Sequence, residues 1–447
     1  MSLLVMIPLA AAFELAWSRS ATLRAHRAQL RTLLALFWAG VLAIYYGSRW
    51  GLLPAGVHYG RGVLRFASDS PNYHAQAARV AADLQLGSTA ALLDGQSYLY
   101  SIILGVLYAV YGVDPLVGML FNAVFYLAAL VSVFALGRAL FDESSGALAM
   151  WLVGLWPSFL LHETQTLRWV ATTAGIGLVM TSVVLALGSS RFERGLPAAG
   201  VGYLLLVFDL PYMARLFYLA VLAFAAVLLV LTVRHRDHGG QALRMGTLGL
   251  GFAAAYYAVW VLRSPSGWRG GPFDLFGSDL QAVLTARLGF ILASAESATA
   301  FANPRHLAGL LDFLLNLPEA YLTAFLAPYP GMLWSEMQGV SNMRHYVLGE
   351  MLAYYVMLPF VVAGVLLALR RLPGASRRQT SFVVVFTLGV YALLGTVVMS
   401  GGTLHRLRLP WFMIQCAFAA AALLALVSPW WAWLGTRAGR THEGSRA

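Results

Sequence analysis

Runs of apolar residues long enough to cross a bilayer recur from one end of this chain to the other, separated by short segments that carry arginine. A helical span needs roughly 17 to 25 mostly apolar residues. Candidates lie near 3 to 17, 32 to 53, 115 to 137, 146 to 163, 169 to 188, 196 to 211, 216 to 233, 246 to 263, 350 to 370, 380 to 399 and 409 to 434. Hydrocarbon leaves backbone N–H and C=O groups no partners, so a span is a helix or part of a closed barrel. The period-two alternation of a barrel strand is absent from these runs. The expected fold is therefore an all-α polytopic transmembrane helix bundle of about 11 to 12 spans, with residues 1–447 forming a single integral membrane domain. Composition agrees: 60% hydrophobic and 11% charged residues leave too few polar side chains to cover a soluble globule of 447 residues.

Charge placement gives an orientation. All 30 basic side chains are arginine, and most cluster in short loops: Arg19, Arg24, Arg27 and Arg31; Arg191 and Arg194; Arg234, Arg236 and Arg244; Arg370, Arg371, Arg377 and Arg378; and a tail, 435–447, with Arg437, Arg440 and Arg446. Short basic loops mark the cytoplasmic side. All five clusters, with Arg138, share a side only if the apolar stretch 98–113 re-enters or lies in the interface. The arginines are dispersed rather than gathered into a stripe, so nucleic acid is not an expected partner despite a net charge of +11. The apolar N-terminus lacks a basic leader and a cleavage site, and reads as a retained span. Cys416 stands alone, which excludes a disulfide or a cysteine metal site within the chain.

This topology leaves a second set of loops facing outward: 54–97, His162 to Arg168, Pro211 to Arg215, 264–349 and Gly401 to Arg408. The two long ones carry helical amphipathicity, as in Leu307, Leu310, Leu311, Leu314 and Leu315, suited to helices on a membrane face. In the first, Ser68-Asp69-Ser70-Pro71 precedes a helical segment, so Asp69 reads either as a helix cap or as a site acid. Arg168, Arg215, Arg406 and Arg408 fall on the outer side, against the positive-inside tendency, and His405 concentrates charge beside the last two. Each is either an arginine snorkelling to lipid headgroups or an anion ligand. His162 and Glu163 lack partners at metal-ligand spacing, so no metal is expected. Asp83 and Asp94 read as solvated charges; Glu14 and Asp209 are acids within apolar runs; Glu296, Asp312, Glu319 and Glu336 punctuate the long outer loop without ranking themselves.

Several pieces in order resemble the GT-C superfamily of integral membrane glycosyltransferases, of the protein-mannosyltransferase and aminoarabinose-transferase type. They are Asp69 with Tyr73 in an Asp-x-x-x-Tyr pattern, Tyr98 to Tyr108, Tyr111-Gly112-Val113-Asp114-Pro115, Asn122, Gly137-Arg138-Ala139-Leu140-Phe141, Trp156-Pro157-Ser158 and Gln165-Thr166-Leu167-Arg168. Later echoes are Leu326-Ala327-Pro328-Tyr329-Pro330 and Gly401 to Pro410, which looks like the family's Arg-x-x-Leu-Pro element. Where such proteins often carry an acid after the Leu-Arg pair, this chain has Trp169; Glu163 is the nearby candidate to compensate.

The resemblance implies transfer of a sugar from a polyprenyl-phosphate donor to a lipid, glycan or protein acceptor, in a bacterial-type inner membrane with the site on the extracytoplasmic face and no cofactor. Asp69 would be the general base, with Tyr73, His162, Glu163, Arg168, Arg215, His405, Arg406 and Arg408 as substrate-binding candidates. Two alternatives stand beside it. One is a polysaccharide polymerase or ligase using a diphosphate-linked oligosaccharide, which does not need the early acid. The other is a transporter, which would place charges mid-span and often shows inverted repeats.

Overall fold

In the computed structural model the chain is a bundle of helices, described over residues 2–89, 98–188, 195–235, 239–263, 285, 287–289, 291–292, 307, 309–327, 341–371, 374–398 and 401–443. Asp94, Arg191, Arg194, Arg236, Glu296, Glu336, Pro328 to Pro330 and Arg446 lie outside the described residues. The only sheet among the described residues is a hairpin, His58–Gly60 with Val63–Leu64. Its turn needs three consecutive positive φ angles, and Gly60 (97°), Arg61 (46°) and Gly62 (80°) provide them.

Among the described residues eight helices are long and apolar enough to cross a membrane, and a bent pair, counted as one span, brings the number to nine. The chain is thus a polytopic membrane protein, though three expected spans take a different form, one of them 246–263, which folds inside Gly239–Arg263 and is not among the eight. The run 146–163 is broken where Trp156 precedes Pro157, and Glu143–Gly154 meets Pro157–Glu163 at 67°. Proline forces its predecessor out of helical backbone, and Trp156 is extended (ψ 122°). The run 196–211 folds as Leu196–Asp209, whose 14 residues rise about 21 Å at ~1.5 Å each, short of a ~30 Å core. Leu99–Tyr111 is also too short to cross straight, with 13 residues, as expected for 98–113.

The helix Arg168–Gly188 is the centre of the bundle, buried along nearly its whole length. It packs on Ala123–Leu140, Leu196–Asp209, Gly374–Val397 and Gly401–Glu443. Its two ends differ in character. At the C-terminal end, carbonyls that no later turn can satisfy are met by side chains from arginine-rich segments: Arg244 Nε donates to the Ala186 carbonyl (2.8 Å), Gln241 to Leu187 (2.6 Å) and Gln379 to Val184 (2.7 Å). Arg138 likewise bonds Thr22 (2.8 Å), and Arg31 pairs with Glu14 (2.6 Å). Glu14 is therefore an ion-paired residue beside the first arginine cluster rather than an isolated acid in a span. A 21-residue helix rises about 31 Å. The arginine-rich end and the end where Arg168 starts the helix thus lie a hydrocarbon thickness apart.

Local grammar explains much of the outer layer. Asp114 caps Pro115–Phe121 by accepting from the Leu116 N–H (3.0 Å), with Pro115 at the first helical position and Gly112 at φ 95° turning the chain. Ser70–Gln85 packs against Leu99–Tyr111, and Gly105 makes the approach possible: a Cβ there would lie 2.5 Å from Val80 Cβ and 3.0 Å from the Ala77 carbonyl oxygen. The segment Gly401 to Arg408, expected to be a loop, is helical and continuous with the last span in Gly401–Glu443.

Candidate functional site

The Asp69 carboxylate is not a helix cap. It sits at the start of Ser70–Gln85 but makes no side-chain capping bond to that helix. Instead Asp69 Oδ2 accepts from Arg406 Nη1 at 2.9 Å, joining the segment 54–97 to the last span across 337 positions of sequence. The pair is partly open, the Asp69 side chain being 43% and the Arg406 side chain 20% exposed. Oppositely charged groups at this distance, with one face toward solvent, are held firmly enough to be placed and loosely enough to be exchanged for another ligand.

A buried turn holds Asp69 there. Gln165 Oε1 accepts from the Leu64 N–H (2.9 Å), and the Thr166 and Ser70 hydroxyls bond each other. Asn122 Nδ2 donates to the Glu163 and Gln165 carbonyls (3.0 and 2.6 Å), while its Oδ1 accepts from the Tyr100 hydroxyl (3.0 Å). Gln165, Thr166 and Asn122 are fully buried. Buried polar groups need partners: Gln165 and Thr166 find theirs on the segment 54–97, and Asn122 braces the turn that carries them.

Tyr73, one helical turn on from Asp69, is buried and lies within the fields of Arg168, Asp69 and Arg406 together. Burial, the largest influence, pushes its phenol up to about 12 against the opposing Arg168 charge. Tyr73 is thus a neutral O–H donor at any physiological pH. The Arg168 guanidinium lies 4.1 Å over the Tyr98 ring and 6.0 Å from that of Tyr73, and Nη1 donates to the Asp209 carbonyl (3.1 Å). Among the described residues no carboxylate is within ion-pair distance of Arg168. The cluster therefore holds one cation balanced by Asp69 and one held only by rings and a carbonyl.

The other expected residues spread out. Arg408 is buried and fully engaged: Nη1 donates to the Phe325 and Ala327 carbonyls (3.1 and 2.8 Å) at the end of Leu310–Leu326, Nη2 donates to His405 Nδ1 (3.3 Å), and the Tyr354 ring lies 4.9 Å away. That environment makes it a helix cap. His405 Nε2 faces Glu350 Oε1 at 3.4 Å. His162 donates through Nδ1 to the Ser158 carbonyl (2.8 Å), with its ring 4.7 Å from Phe66 and 6.3 Å from His405, so it adjoins the cluster. Glu163 is buried within range of Tyr100 and Tyr126, 2% exposed. Arg215 lies on Pro211–His235 beside Tyr256 of Gly239–Arg263.

Sequence reasoning missed Glu350 and Tyr98. Glu350 Oε1 accepts from Trp156 Nε1 (2.7 Å) and from the Ser158 hydroxyl, at 5% exposure. Its signal was present: an acid in the first turn of an apolar span is costly unless it has partners. Tyr98 precedes an apolar run and gave no such signal.

No protein-family model matches this chain, and no curated protein matches it. Among solved structures, an apo oligosaccharyltransferase from Archaeoglobus fulgidus is similar over 91% of this chain and 52% of its own, at 11% identity and a TM-score of 0.47. This chain spans about half the length of that protein.

Proposed function

We propose that this protein is a membrane glycosyltransferase that moves a sugar from a polyprenyl-phosphate donor to an acceptor at the extracytoplasmic face, with inversion at the anomeric carbon. The observation that carries the reading is the Asp69–Arg406 pair, an open carboxylate and an open cation brought together from the two ends of the chain at 2.9 Å. The chemistry needs both charges. The acceptor hydroxyl or amine attacks the anomeric carbon, its proton passes to Asp69, and the bond from that carbon to the phosphate oxygen breaks with its electron pair leaving on polyprenyl phosphate. Arg406 and Arg168 are the groups suited to that anion.

The same geometry implies an order. While Arg406 holds Asp69, the carboxylate is occupied; a donor phosphate is a better partner for the guanidinium and frees the base as it binds. Tyr73, neutral and between the charges, donates to sugar or phosphate oxygen. Arg408 supports the site from behind, since its donors are already taken by carbonyls.

The test is incubation of the purified full-length chain with a panel of polyprenyl-phosphate sugars and, in parallel, diphosphate-linked oligosaccharides. Transfer or donor hydrolysis with a monophosphate donor is expected. Turnover of the diphosphate donors alone would replace this reading with the polymerase or ligase, and turnover of neither would end it.

A further inference from the structure

Three buried groups, Arg408, His405 and Glu350, touch one another in succession. Arg408 Nη2 donates to His405 Nδ1 at 3.3 Å, and arginine has no acceptor, so that ring nitrogen presents its lone pair. The other ring nitrogen, Nε2, faces Glu350 Oε1 at 3.4 Å, within ion-pair distance but without hydrogen-bond geometry. Glu350 Oε1 is fixed in turn by Trp156 Nε1 (2.7 Å) and the Ser158 hydroxyl, on the two sides of the Pro157 break. Arg408, His405 and Glu350 are 4%, 8% and 5% exposed. A buried cation and a buried anion thus balance each other through one imidazole, the condition under which charges are tolerated in an interior.

We infer that Glu350 is a positioning residue that acts through His405 and Arg408 to aim Arg406 at the donor phosphate, an inference that rests on the function proposed above. Residues 405 and 408 lie on one side of the helix, three apart, and residue 406 is turned about 100° from 405. Locking 405 to Ser341–Arg371 and 408 to the end of Leu310–Leu326 fixes the rotation of the last helix at its outer end. Arg406 is then presented toward Asp69 without a buried partner of its own. The relay demands one acceptor toward Arg408 and one donor toward Glu350 from a single side chain. Glutamine meets that demand; phenylalanine fills the space and meets neither half.

The experiment compares His405→Phe with His405→Gln in the full chain, reading the KM of polyprenyl-phosphate sugar, the KM of acceptor and the melting temperature. His405→Phe is expected to raise the donor KM at least fivefold with the acceptor KM within twofold, and His405→Gln to stay within threefold of the parent. A folded His405→Phe protein with an unchanged donor KM, or a His405→Gln protein as impaired as His405→Phe, overturns the inference. If the parent turns over no polyprenyl-phosphate sugar, the proposed function has failed, and the relay is judged by hydrogen exchange over residues 404–410. Faster exchange in His405→Phe alone then supports the relay, and equal exchange in both variants refutes it.

Discussion

Replacing Asp69 by asparagine separates catalysis from stability, because the structure gives the two effects very different sizes. Asparagine keeps the shape of the side chain and removes its charge. The carboxylate caps no helix, so no capping energy is lost. What is lost is an ion pair in which the Asp69 side chain is 43% exposed, and solvent screening limits such a pair to about 0–1 kcal/mol. The melting temperature should therefore fall by less than about 3 °C. Removal of a general base lowers the rate by about 10²–10⁴, which is about 2.7–5.4 kcal/mol in the barrier at ~1.36 kcal/mol per tenfold. Arg406, freed from its partner, should bind polyprenyl phosphate as well as in the parent or better. The assay is transfer of labelled sugar beside equilibrium binding of polyprenyl phosphate by the same preparation. Transfer within threefold of the parent, or a loss of transfer matched by an equal loss of phosphate binding, would refute the assignment of Asp69 as base.

Arg168→Met should weaken polyprenyl phosphate binding about tenfold, ~1.4 kcal/mol, and Arg168→Lys should recover only part of it because an ammonium does not stack on Tyr98 as a guanidinium does; equal affinity in all three proteins would remove Arg168 from the site. Tyr73, pushed up to about 12 by burial, favours its neutral form when folded. Its contribution is present below the unfolded value of about 10 and is lost as pH rises from there through about 12, amounting to ~2.7 kcal/mol for a shift of roughly two. Tyr73→Phe should thus flatten the stability profile between pH 10 and 12, and a parallel loss in both proteins would count against it. Gly105→Ala should cost about 1–3 kcal/mol by forcing Ser70–Gln85 away from Leu99–Tyr111, read as a lower melting temperature together with impaired transfer. Arg408→Met should cost about 3 kcal/mol by stranding Glu350 and the Phe325 and Ala327 carbonyls, read as a lower melting temperature; an unchanged melting temperature would refute that burial role.

The helical class, the membrane setting and most spans were legible because apolar length is a one-dimensional signal. The Asp114 cap was legible for a related reason: cap, proline and glycine act within a few residues of each other. Asp69 was not decidable locally, since cap and site acid share one grammar, and its partner Arg406 lies 337 positions away. Sequence set Arg406 and Arg408 apart only by the charge concentrated around His405, yet Arg408 is spent on carbonyls while Arg168 keeps a face on Tyr98. That distinction depends on which helix end lies nearby, information no local pattern contains. Gly401 to Arg408 read as a loop because its charges outweighed its neighbours, and the buried partners that let them join a helix lie in other parts of the chain.

Because Asp69 is made early in translation and Arg406 near the end, the pair also dates the birth of the site. A nascent chain threaded into the membrane up to residue 398 already owns the acid, the Tyr73 phenol and the clamp formed by Gln165 and Thr166, but not the cation that holds the acid in register. On the function proposed above, activity appears only when the last span is inserted in its proper orientation, and a chain that stalls or inverts that span remains inert in the membrane.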